Sequence, residues 1–204
     1  MSAPLTLPTP MLSALELAYA TPPRAYHHFG HVQDVLHRFA EITVGPGWTQ
    51  PAEVYLAMLY HDAIYEASRK DNEARSADLA AAEVAQWLPE AGIDTLRVAE
   101  LINLTARHGQ LSPGDFGDDG FSLDARHFLD CDMAILGTAP EVFDAYDRGI
   151  AEEYKGHVPG LLFRLNRKRF LKGLLARDRI YLSDWFHQRY DARARANLGR
   201  AIAG

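Results

Sequence analysis

Hydrophobic residues recur along this chain at three- and four-residue intervals, the spacing of one helical face. Met11 to Ala20 reads as a first short helix, with Pro10 in its opening turn and Thr21-Pro22-Pro23 ending it. From about Tyr26 to Ile42, Phe29, Val32, Leu36 and Phe39 form the stripe of a second, and His31 lies beside that stripe. A third helix opens at Pro51 and carries Val54, Tyr55, Met58, His61 and Tyr65, which places the adjacent His61-Asp62 pair near its C-terminal end. The alanine-rich stretch from Asn72 to Leu88 is a strong helix former, stopped by Pro89 and Gly92. Asp94 suits the N-cap of a fifth helix, which runs to the left-handed cap expected near His108-Gly109.

Ser122 or Asp124 starts a sixth helix through Phe128, Leu129, Asp132 and Met133, with Gly137 as its stop. Thr138 and Glu141 are spaced as a capping box for a seventh, through Phe143, Tyr146 and Ile150 to Tyr154. Pro159 and Ser183 open two more. No alternating strand and no internal repeat is present in this pattern. The predicted fold class is therefore all-α, a compact array of eight to nine helices without significant sheet. We read residues 1–204 as one domain, with a flexible start over 1–10 and a C-terminal helical extension over 183–204.

Composition narrows the function classes. A chain of 204 residues that is 48% hydrophobic can bury a substantial core. A formal charge of -6 argues against binding extended nucleic acid, which relies on a basic surface, but leaves room for a local phosphate site. Cys131 is the single cysteine, so no internal disulfide forms, and we read it as a small buried apolar residue in a reducing compartment. The N-terminal MSAPLTLPTP lacks the basic and apolar regions of a signal peptide, and no later run is long enough to span a bilayer. The expectation is a cytoplasmic protein; the oligomeric state is left open.

The chemistry lies in His31, His61, Asp62 and Asp132, all placed inside apolar helical segments. Ionisable groups on core-facing helices are costly to bury without a partner, and a divalent cation shared by imidazoles and carboxylates is such a partner. Each residue alone has a plainer reading: a hydrogen-bonded structural His, a helix-end cap, a solvent-facing Asp. Asp132, however, is flanked on its own side by Leu129, Met133 and Leu136, and Asp62 is disfavoured by the dipole at a helix C-terminus. Asp130 faces away from Asp132 and serves structure or solvent, and His127 lies about 140° around the helix from it. The acidic Asp115, Asp118 and Asp119 lack an EF-hand pattern and read as solvated turn residues.

The ordered blocks YHHFGHV, LYHDAIYE, DNEARSA, LTARH, FLDCDMAILG and EEY, spanning roughly residues 19 to 182, resemble the HD-domain superfamily, specifically a small bacterial group of predicted metal-dependent phosphohydrolases. The resemblance implies an HD-domain-like helical array and ligation of one divalent ion by His31, His61, Asp62 and Asp132, the metal being Mn, Fe, Co, Ni, Zn or Mg. It also implies hydrolysis of a phosphate ester of a small metabolite or nucleotide, with the ion lowering the pKa of water and polarising a phosphoryl oxygen. Asp62 and Glu66 are then the catalytic candidates. Many members have Glu three residues after the motif Asp, where this chain has Tyr65; Glu66 comes one position later, at i+4 from Asp62, on the same face if the helix continues. A second departure is Ala151, where an Arg is expected, with Arg148 one turn earlier.

Phosphate oxygens need cationic or amide donors, and Arg24, His28, Lys70, Asn72, Arg75 and His108 stand beside the ligand segments. For His27 and His28, about a turn before His31, structural and site roles are both open, and Asn72 and Glu73 equally suit a helix's first turn. Two other functions compete. Absence of the Glu after the motif favours a metal-dependent binding or regulatory module with little turnover. A dinuclear iron oxygenase needs further His ligands, and His108 alone is well placed.

Overall fold

The computed structural model describes residues 3–203, and 69% of the chain is helical with no strand among the described residues. Among the described residues nine α-helices succeed one another: α1 (Thr9–Ala20), α2 (Phe29–Val44), α3 (Pro51–Tyr60), α4 (Asn72–Trp87), α5 (Thr95–Leu104), α6 (Gly120–Met133), α7 (Pro140–Glu153), α8 (Gly160–Leu175) and α9 (Asp184–Ala203). The all-α expectation holds. The N-terminal expectation for residues 1 and 2, and the end of the C-terminal one at residue 204, lie outside the described residues; within them, Leu5 and Leu7 pack against the core. Among the described residues no helix is long and apolar enough to cross a membrane.

Helix α3 occupies the centre. Val54, Leu56, Ala57, Met58, Leu59 and Tyr60 are all buried, so the helix is apolar all round, as a helix enclosed by neighbours must be. It packs on α2, α4, α5 and α6. The small residues Ser76, Ala77 and Ala80 let α4 lie close to these partners. Helix α9 is part of the core rather than an appendage: Phe186, Tyr190, Ala194 and Leu198 are buried, and it packs against the turn at 134–137.

Several boundaries differ from the sequence reading. Asp119, expected in solvent, is the N-cap of α6, accepting from the Ser122 amide at 3.0 Å. Thr138 and Glu141 form no capping box; the Thr138 hydroxyl donates back to the Ile135 carbonyl, and Pro140 opens α7 instead. Gly137 is required by proximity, not by a left-handed turn, since a Cβ there would stand 2.8 Å from the Tyr190 backbone carbonyl oxygen. Gly109 does adopt the expected positive φ, at 70°, although α5 already ends at Leu104 and a 3-10 turn carries the chain onward.

Two buried carboxylates on α6 lock its surroundings. Asp124 accepts from the Thr49 and Gln50 amides at 2.8 and 2.9 Å and pairs with Arg97 at 2.7 Å, fixing the start of α3. Asp130 accepts from the Leu182 and Ser183 amides and the Ser183 hydroxyl, fixing the entry to α9. Burial pushes the Asp130 pKa up to about 7 against the pull of those donors.

Replacing Asp124 strands a buried guanidinium and two amides, so Asp124→Ala is expected to destabilise the fold by about 3 kcal/mol, read from urea unfolding. His127 supplies a pH test. Burial holds its pKa down at about 4, and Asp124 only partly opposes this. The folded protein therefore keeps His127 neutral while the unfolded chain takes up a proton below its ordinary pKa of about 6.5. Stability is lost as pH falls from there towards 4. Between pH 7 and 5 this one group should remove about 2 kcal/mol, and His127→Gln should flatten that part of the unfolding midpoint's pH profile.

Candidate metal centre

Helix α3 ends at Tyr60, one residue before the His-Asp pair. His61 is its C-cap, still in right-handed helical conformation, and its amide donates to the Ala57 carbonyl. Beyond it the chain leaves the helix in a turn held from three sides. Arg24 donates to the Asp62 carbonyl at 2.6 Å and the Ala63 carbonyl at 3.0 Å, and also to those of Ala18 and His27. A cation on the last carbonyls of a helix is favoured by the helix dipole as well as by the hydrogen bonds. Ser76 brackets both backbone groups of Ile64, and Asn72 brackets both backbone groups of Glu66. The Tyr19 hydroxyl donates to Leu59 and accepts from the Asp62 amide. This clamp fixes both side chains beside His31 of α2 and Asp132 of α6.

The donor atoms converge. His31 Nε2 and His61 Nε2 are 3.1 Å apart. Asp62 Oδ2 lies 3.2 Å from His61 Nε2 and 3.6 Å from His31 Nε2, while Asp132 Oδ1 lies 3.0 Å from His31 Nε2 and 3.6 Å from His61 Nε2. Both imidazoles are almost fully buried, and both carboxylates retain slight exposure, at 16% for Asp62 and 12% for Asp132. The remaining ring nitrogens are engaged: His61 Nδ1 donates to the Met58 carbonyl at 2.9 Å, and His31 Nδ1 meets the Tyr26 hydroxyl at 3.1 Å. A proton on Nδ1 leaves an Nε2 lone pair facing inward.

These spacings can be compared with a coordination shell. Donors bonded to one ion at about 2.1 Å are about 3.0 Å apart at right angles and about 3.4 Å apart at tetrahedral angles. Three of the separations, at 3.0, 3.1 and 3.2 Å, fall in that range and two, at 3.6 Å, lie just beyond it, and the ligand atoms of His31, His61 and Asp62 all lie within 4.8 Å of one another. This group could hold a metal ion.

The electrostatics agree. Burial alone would raise the Asp62 and Asp132 pKa values, yet neighbouring histidines outweigh it and hold both carboxyls below the usual carboxylate range. Burial likewise works to lower His61, but Asp62 and Asp132 drive it well above the ordinary imidazole value. Two persistent carboxylates in a buried space attract positive charge, and a divalent ion supplies it without a proton.

A cavity of about 270 Å3 opens onto this cluster, walled by Asp62, Asp132, His108, Glu73, Tyr65 and Arg167 among others. His108 Nε2 stands 3.0 Å from Asp132 Oδ2 but in no hydrogen-bonding orientation, and it has no other partner. His108, a candidate phosphate donor in the sequence, thus stands beside the cluster.

The other expected site residues are placed differently. The two terminal nitrogens of Arg24 and the side-chain amide of Asn72 are bonded to backbone groups, and neither residue lines the cavity. Glu66 is not on a helical face with Asp62, because α3 has already ended; it is half-exposed and paired with Arg75 at 2.8 Å, which occupies Arg75 as well. Lys70 is exposed outside the cavity wall. His28 caps α2 by accepting from the Gly30 amide, and it is His27 that lines the cavity, stacked on Tyr65 and bonded to Glu153 at 2.6 Å.

Sequence reasoning passed over two wall residues. Glu73, which reads as an ordinary first-turn acid, brings the start of α4 to the cavity, and its block DNEARSA is the available signal. Arg167 of α8 brings a guanidinium to the wall, and no local motif announces it. Scanning the chain against protein-family models, curated proteins and solved structures gives no match.

His61→Ala should abolish tight binding of Mn2+ or Zn2+ measured by titration calorimetry, with the helical circular dichroism retained. Tyr26→Phe, which touches only the outer nitrogen of His31, should weaken binding by about 10- to 100-fold.

Proposed function

We propose that the protein is a metal-dependent phosphohydrolase of the HD-domain type, acting on a phosphate ester of a small metabolite or nucleotide. The observation that carries this reading is the convergence of two buried imidazole nitrogens with two carboxylates, the carboxylates lining a cavity of about 270 Å3. His31, His61, Asp62 and Asp132 would hold one divalent ion. Mixed nitrogen and oxygen donors suit Mn, Fe, Co, Ni, Zn or Mg to different degrees. When bound, such an ion lowers the pKa of water and polarises a phosphoryl oxygen.

The chain's own residues supply the rest. Water attacks phosphorus, the bond from phosphorus to the ester oxygen breaks, and the products are inorganic phosphate and the alcohol. Glu73 replaces Glu66 as the carboxylate we assign to accept the proton of the attacking water, since it lines the cavity while Glu66 is turned towards Arg75. His108 and Arg167 face the phosphoryl oxygens, where donors fixed in advance stabilise charge as it develops. The His27 ring, held by Glu153 and stacked on Tyr65 at 4.0 Å, closes one side and limits water entry. The net charge of -6 favours a compact substrate over a long nucleic acid.

A metal-dependent binding module is the competing reading, favoured by Tyr65 standing where many hydrolases of the HD-domain superfamily that the sequence resembles carry Glu. Phosphate release from a panel of phosphate monoesters with Mn2+, Co2+, Ni2+ or Mg2+ separates the two. We expect turnover with one ion bound per chain; stoichiometric metal without phosphate release contradicts hydrolysis, and two irons per chain points to redox chemistry. Within an active enzyme, Glu73→Gln should lower kcat by about 10²- to 10⁴-fold while leaving metal affinity in place. Glu66→Gln should stay within about twofold of the parent, a change under 0.5 kcal/mol.

A further inference from the structure

The wall of the cavity at the metal cluster also bounds a neighbouring space. Ile150, Tyr154, Arg167 and Phe170 are shared between that wall and the wall of a second recess of about 390 Å3, which Val158, Phe163 and Asn166 complete. The two spaces are chemically unlike. The first carries Asp62, Asp132, Glu73 and His108; the second is walled by aliphatic and aromatic side chains, with Asn166 the single uncharged polar amide. Arg167 stands at the junction and is the only Lys or Arg in either wall.

Arg167 is also held in readiness. Its Nε donates to Asp147 at 2.9 Å, and its guanidinium carbon lies 5.0 Å from the Tyr146 ring centre and 5.6 Å from that of Phe170. Its side chain is only 13% exposed. The terminal Nη2 stands 2.9 Å from the same Asp147 oxygen but is buried with no acceptor in hydrogen-bonding geometry. The ion pair with Asp147 offsets the guanidinium's charge while leaving Nη2 without an aligned acceptor, and a planar fork of donors matches the oxygens of a phosphoryl group.

We infer that the substrate is a phosphate monoester of an apolar, aromatic or aliphatic alcohol, with Arg167 gripping the phosphoryl group and the recess of Tyr154, Val158, Phe163 and Phe170 holding the alcohol part. This rests on the phosphohydrolase reading for the identity of the anion, and it narrows the substrate class. A nucleoside would bring many hydroxyl and base polar groups into a recess whose uncharged polar groups are the Asn166 amide and the Tyr154 hydroxyl, whereas an apolar group is desolvated there without penalty. Phosphorus is placed between Arg167 and the metal cluster, with the ester oxygen on the recess side, so the departing alcohol leaves along the apolar wall.

The test compares 1-naphthyl phosphate, glycerol 3-phosphate and adenosine 5′-monophosphate on the metal-loaded protein, by titration calorimetry and by phosphate release. We expect 1-naphthyl phosphate to bind at least tenfold more tightly than either of the others, and to show the highest kcat/KM. Val158→Asp should bring the binding ratio towards one. Arg167→Lys, a milder change than loss of the charge, should weaken 1-naphthyl phosphate binding by about 10-fold or more, and Arg167→Gln by more again where it folds. Equal affinity for the three esters, tighter binding of the nucleotide, no binding of any, or Arg167→Lys binding as the parent does would each overturn the inference. The preference without turnover would sustain the apolar recess and contradict hydrolysis; turnover without the preference would do the reverse.

Discussion

The organisation of this protein depends on keeping two carboxylates and two imidazoles within about one hydrogen bond of one another inside a helical core. Taken out of water, such a cluster loses solvation at each charged atom; attraction between the carboxylates and the neighbouring histidines offsets this, and a shared cation would offset it further. The geometry reflects that demand. Each imidazole has its outer nitrogen tied down, to Met58 or Tyr26, so the inner nitrogens face each other at 3.1 Å. The carboxylates take up the remaining sides.

The fold serves this arrangement through backbone clamps more than through helix faces. A helix spreads adjacent side chains about 100° apart, which makes a His-Asp dipeptide awkward as a pair of co-ligands. Ending α3 at Tyr60 removes that constraint, and Arg24, Ser76 and Asn72 then set the path of the next six residues. On α6 the division of labour is similar. Asp124 anchors the start of α3, Asp130 anchors the entry to α9, and Asp132, at the cavity wall, joins the cluster. Three acids on one helix therefore hold three parts of the molecule in register.

Much of this is legible in the chain. The helical periodicity, Pro51 and Asp94 at their helix starts, and the order of His31, His61-Asp62 and Asp132 come from local pattern, and the structure brings those four side chains together. The remainder depends on tertiary context. Arg24 and Asn72 look like phosphate donors because their chemistry is right, but the hydrogen bonds of Arg24 to carbonyls some forty residues away leave no trace in local spacing. Glu66 reads as part of a helix that in fact stops sooner, since an apolar stripe through Tyr65 resembles a longer helix whether or not the backbone turns. Arg167 comes from a different helix altogether, over a hundred residues from Asp62, and the recess it guards is assembled from α7, α8 and the connection between them.

Crystals soaked in Mn2+ and measured at an anomalous-scattering wavelength test the central claim most directly. The account predicts one strong peak at about 2.0–2.3 Å from Nε2 of His31 and His61 and from carboxylate oxygens of Asp62 and Asp132. A structure at saturating metal with no peak there, and with the two imidazoles still bonded to each other, would contradict it.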